Sequence, residues 1–120
     1  MVRRNLADGA AIGISLLCLV HCLALPTLIA LAPWLIPGFL VDESFHLAAV
    51  LIALPVSAIA LASSLRARPT VVVLAGLGLA LLLTGAFVEE ETLEVSITVC
   101  GALLVASAHI RNLLLQRAPA

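Results

Sequence analysis

The sequence predicts an all-α protein, a transmembrane antiparallel four-helix bundle, on three observations. Its 120 residues are 63% hydrophobic and 11% charged, with a mean hydropathy of +1.25, a composition that soluble domains do not have. Apolar runs at residues 10–40, 45–65, 71–88 and 93–115 each offer about the 20 residues that a helical crossing requires. The polar turns between them, at 41–44, 66–69 and 89–92, are too short for long crossovers, so successive helices should return beside one another. Residues 1–120 then form a single four-span membrane domain. Binding is expected inside the bundle or on its short turns, and enzymatic catalysis is not expected.

The first run follows Arg3 and Arg4 but ends in no small-x-small cleavage site, so it reads as a retained helix rather than a signal peptide. Pro26 carries no N–H and should leave the Cys22 carbonyl without its helical partner. Pro33 and Pro37 bracket Trp34 where the chain should leave the membrane, and Trp34 suits an interfacial anchor. The second run opens with His46 and holds Pro55, which should free the carbonyl of Leu51. The third is rich in small residues (Ala75, Gly76, Gly78, Ala80, Gly85, Ala86), and the fourth carries Gly101, Ala102, Ala106 and Ala108. Gly76 with Ala80, and Ala102 with Ala106, have the small-xxx-small spacing that lets backbones approach in lipid. Such faces are also compatible with a homo-oligomer.

Charge sets the orientation. Arg3, Arg4, Arg66, Arg68, Arg111 and Arg117 all fall on one side of the predicted bundle, and Asp42, Glu43, Glu89, Glu90, Glu91 and Glu94 on the other. Asp8 alone among the acids lies with the arginines. The positive-inside rule places both termini in the cytoplasm. The outer acids read first as solvated loop residues and second as an attractant for cations. A nucleic-acid partner is not expected; the partners are the bilayer and a metal cation.

The metal follows from Cys18-Leu19-Val20-His21-Cys22. On a helix, positions i and i+4 share a face with Cβ atoms roughly 5 to 6 Å apart, so Cys18 and Cys22 can clasp one ion, with Ser15 beside them and His21 at the edge. Sulfur with imidazole selects soft or borderline ions such as Cu(I), Zn(II) and Hg(II) over Mg and Ca. The plainer alternative is that these cysteines pack as small apolar residues, although a histidine among lipid tails is harder to explain that way. Three cysteines within predicted spans do not make a secreted-type disulfide framework. From the helical rise, Cys18 should lie roughly 13 Å from the cytoplasmic boundary, Cys22 about 6 Å further out and His109 roughly 6 to 9 Å from that boundary. His46, Cys22 with His21, Cys18 and His109 then form a ladder across the membrane. Asn112, three residues from His109, is placed to orient its ring. Cys100 is nearly opposite His109 on the fourth helix and is expected to pack.

The chain resembles the MerC family of small mercury-related membrane proteins. The resemblance rests on Ser15-Leu16-Leu17-Cys18-Leu19-Val20-His21-Cys22-Leu23 followed by Pro26, on His46 opening the second span, and on Ala108-His109-Ile110-Arg111-Asn112 closing the fourth. It implies a four-helix protein of the bacterial inner (cytoplasmic) membrane that binds mercuric ion at paired cysteines of its first helix and carries it inward, with Cys18 and Cys22 as the pair. The leading expectation is therefore transport of a soft metal cation, Hg(II) by resemblance and Zn(II) or Cu(I) by ligand chemistry. Cys18 and Cys22 would capture it, His21 and His46 would assist arrival, and His109 would assist exit. Two alternatives stand beside it: a membrane metal- or haem-binding sensor or electron carrier with His21 and His46 as axial ligands, and a structural membrane subunit.

Overall fold

The computed structural model describes residues 2–38, 42–62, 64–66 and 68–117. Along the described residues run α1 (Val2–Leu31), the 3-10 turn Pro33–Leu35, α2 (Glu43–Leu61), α3 (Pro69–Gly85) and α4 (Glu91–Arg117). The molecule is 53 Å along its longest axis, enough to cross a hydrocarbon layer of about 30 Å with both ends in the headgroups. Within α1, α2 and α4, the stretches Asn5–Leu25, Ser44–Leu61 and Glu91–Gln116 are long and apolar enough to span a membrane. The fourth expected crossing, α3, is apolar but has 17 residues, about 25 Å of helix.

Chain chemistry explains the boundaries. α1 runs through position 26 without interruption and closes at Leu31, where Ala32 N–H still reaches the Leu28 carbonyl at 2.8 Å. Pro33 then ends it, having no N–H and disfavouring helix at the residue before it. Leu40, the expected end of the first span, lies outside the described residues. Asp42 starts α2, its carboxylate accepting from Ser44 N–H at 2.8 Å, and α2 continues through Pro55. Pro69 occupies the first turn of α3, where a missing N–H costs nothing. Glu90 caps α4 with both carboxylate oxygens, accepting from Thr92 N–H at 3.1 Å and Leu93 N–H at 2.7 Å.

α4 is the central element, packing on both α1 and α3. Along α3 and α4 the partners run in opposite order, Gly78 meeting Gly101 and Val105 while Gly85 meets Thr98. A Cβ on Gly78 would stand 2.7 Å from Val105 Cγ2 and 2.8 Å from the Gly101 carbonyl oxygen; a Cβ on Gly101 would stand 2.8 Å from the Gly78 carbonyl. These glycines let two backbones touch, the close approach that association in lipid relies on. The spacing Gly76/Ala80 singled out from sequence lies on the exposed side instead: both residues are exposed, and a Cβ on Gly76 would meet nothing within 4 Å.

Candidate metal site and a buried polar network

Two apolar clusters hold the helices together, and the first contains a candidate ligand. Cys18, 5% exposed, packs with Val50, Leu82, Ala102 and Val105, so one sulfur of the predicted pair faces the centre of the bundle. Cys22, one turn toward the acidic end, is half-buried. Both thiols are free. Cys100 was expected to pack; it is exposed on the outer face of α4, because a residue nine positions from buried His109 points nearly the opposite way.

Around Cys22 the acidic half of the molecule brings further donors near. The His21 ring lies against Phe45, with ring centroids 4.4 Å apart. His46 is buried, its Nε2 3.4 Å from Thr98 Oγ1. Glu94, in the first turn of α4, is near enough to act electrostatically on both Cys22 and His46, and His21 acts likewise on His46. His46 and Glu94, with Ala86, Phe87, Val88 and Glu89, line a cavity of about 230 Å³ at this end. Among the described residues no three His, Cys, Asp or Glu side chains converge into a ready metal cage. α1 carries one thiol buried in the bundle and a second, half-buried, one turn away, while an imidazole and a carboxylate line the cavity at the acidic end.

Sequence reasoning read Glu94 among the outer acids, as a solvated loop residue or an attractant for cations, and passed over Thr98. The signal for Glu94 was its place three residues inside the fourth helix, after the polar turn had ended. At the helix starts, Asp42 and Glu90 are held below the ordinary carboxylate range. Hydrogen bonds from Ser44 do this for Asp42, and the backbone N–H groups of Leu93 and Thr92 do it for Glu90. Both sit at N-termini, where a negative charge also meets the favourable end of the helix dipole.

The arginine end is built differently. Asp8 is fully buried within α1 and accepts from three side chains of α4: His109 Nδ1 at 2.6 Å, Asn112 Nδ2 at 3.2 and 3.0 Å to its two oxygens, and Gln116 Nε2 at 3.1 Å. Because Asp8 is an acceptor to amides through both oxygens, Nδ1 is the protonated ring nitrogen of His109. The other nitrogen, Nε2, pairs with Ser57 Oγ of α2 at 3.1 Å. Asn112 uses its carbonyl as well, accepting from Ser64 Oγ at 2.8 Å and from Arg68 Nη1 at 3.1 Å. Arg68 also donates to the main-chain carbonyls of Asn112 and Leu115, at 3.3 and 3.0 Å. One acid thus ties α1 to α4, and through His109 and Asn112 to α2 and the turn before α3.

This arrangement gives His109 an occupation other than the exit ligand expected of it, since both ring nitrogens are bonded. Asn112 does hold the ring in place, but through the shared carboxylate of Asp8 rather than by direct contact. Sequence reading missed Asp8, Ser57, Ser64 and Gln116. Asp8 had left a trace as the one acid on the arginine side.

No curated protein and no solved structure matches the chain. Residues 8–114, from the buried aspartate to the last turns of α4, match the family described as MerC mercury resistance protein. The match runs over nearly the whole helical assembly, and with it the chain belongs to the MerC family, a family of mercury-related membrane proteins.

Proposed function

We propose that this protein binds a soft metal cation, mercuric ion in the first instance, at Cys18 and Cys22 and carries it across the bacterial inner membrane toward the arginine-rich, cytoplasmic side. The observation that carries the reading is the position of the thiol pair. One sulfur faces the bundle centre and the other stands a turn closer to a cavity lined by His46 and Glu94. A cation drawn by Glu89 and Glu94 would meet imidazole next and sulfur last, an order of increasing softness that favours inward passage of a thiophilic ion over a hard one. His21 and His46 assist arrival; His109 is outside this ligand set. α3 completes the wall as the fourth crossing, and all six arginines lie inside.

The test is Hg(II) titration of the protein in nanodiscs, together with mercury uptake by cells, for wild type and Cys18→Ala/Cys22→Ala. Tight binding and uptake in wild type, with both lost in the double variant, are expected; equal uptake in the two would remove the proposal. Glu94→Gln should weaken capture about tenfold while leaving the sulfurs in place, the scale of losing a supporting group at a metal site.

A further inference from the structure

We propose that Asp8 and His109 form a proton-carrying pair inside the bundle, taking up and releasing one proton at His109 Nε2 in exchange with the arginine-bearing end. Both residues are 0% exposed and lie toward the arginine-bearing ends of the apolar stretches of α1 and α4. Buried ionisable groups in membrane proteins are rare and occur chiefly along ion paths and proton relays. The geometry here suits a relay better than a fixed staple. Nδ1 keeps its proton toward Asp8 in either state. At Nε2 the partner is a hydroxyl, which donates to a neutral ring and accepts from a charged one by rotating about its own bond. A proton can therefore be added without moving a helix.

Among the described side chains, the charges around the pair are few. Asp8 comes from α1 and His109 from α4, while Arg68, from the turn before α3, reaches the pair through the Asn112 amide. α2 faces it with uncharged Ser57 and the turn after α2 with uncharged Ser64, and α3 contains no titratable residue. Arg66 and Arg111 are exposed. With a neutral ring, Asp8 is balanced by Arg68; with a protonated ring, the carboxylate contacts the imidazolium directly. Arg68 and Gln116, which bond Asn112 and Asp8, are only part-buried, so this side of the network lies toward the protein surface. The step is a proton transfer from hydronium to the Nε2 lone pair, leaving water, and no electrons change hands.

The use of this proton rests on the transport reading. A thiol that binds metal loses its proton and regains one on release. A buried exchange group about 15 Å along α1 from Cys18 places proton binding between the sulfurs and the cytoplasmic side.

The protonation itself is tested without metal. Imidazole nitrogen NMR of the full chain in nanodiscs, assigned against His21→Gln and His46→Gln, should show His109 Nε2 passing from unprotonated to protonated across the pH range in which the protein stays folded, with Nδ1 protonated throughout. Asp8→Asn should move the midpoint of that change, because it removes the adjacent negative charge. A wild-type ring that keeps one protonation state over that range overturns the proposal, as does an unchanged midpoint in folded Asp8→Asn. In proteoliposomes holding a pH dye, Hg(II) entering through wild type should move protons, and Asp8→Asn should reduce that signal about tenfold with Hg(II) binding retained. An undiminished proton signal counts against the pair. Absence of mercury uptake by wild type would sink the transport reading instead, leaving the NMR result to judge the proton site.

Discussion

The two ends of this bundle use similar residue types to opposite effect. At the arginine end Asp8, His109, Asn112, Ser57 and Ser64 are all buried and bonded to one another. At the acidic end His46 contacts Thr98 and the Leu82 backbone, Cys22 is half-buried, and Glu94 borders an open cavity. Buried polar groups are stabilising only when every donor and acceptor is used. The network at the arginine end therefore joins three helices through shared hydrogen bonds, while the acidic end sets an imidazole and a carboxylate on the wall of a cavity.

The contrast is broken most directly by Asp8→Ala, which leaves the His109, Asn112 and Gln116 donors facing no acceptor. A loss of about 3–5 kcal/mol is expected, the scale for removing one partner of a buried pair, read as a lower unfolding midpoint in detergent. His46→Ala at the other end should cost much less; equal losses would show that both ends are structural.

Packing comes next in size. Gly78→Ala forces a methyl into Val105 and the Gly101 carbonyl and should cost about 1–3 kcal/mol, as overpacked cores do. Gly76→Ala meets nothing and should be neutral or slightly stabilising in the same assay.

The smallest effect is acidification at the helix starts. Folding lowers the affinity of Asp42 and Glu90 for protons, so their stabilisation is complete above the ordinary carboxylate range and lost as pH falls through their lowered values. Hydrogen exchange at the Ser44, Thr92 and Leu93 amides should quicken there, while the His109 network keeps its protection. Loss of both together would mean that the two ends unfold as one unit.

The helices were legible because their causes are local. Apolar length, Pro33 and Pro69, and the acids before α2 and α4 each act on the few residues beside them. Cys18 and Cys22 were singled out by equally local means, helical spacing alone. The Asp8 network was not: its acid and histidine are 101 residues apart in sequence, and no periodicity within α1 announces a partner on α4. Its trace was a violation, one acid among arginines. The small-residue faces failed in a related way. Spacing finds stripes, but only the register of α3 on α4 decides that Gly78 and Gly101 touch while Gly76 does not.

The shortness of α3 bears on how an ion would reach the thiols. Gly85, its last residue, sits opposite Thr98, seven positions into α4, so α3 stops about 10 Å below the start of its neighbour. The turn climbing from that point forms much of the cavity wall. With α3 as the proposed fourth crossing, lipid beside it would thin to match it, or hydration would reach down to it. Either way the aqueous surface is dimpled toward His46, and a hydrated cation would shed its waters over a shorter stretch of low dielectric than the full bilayer imposes.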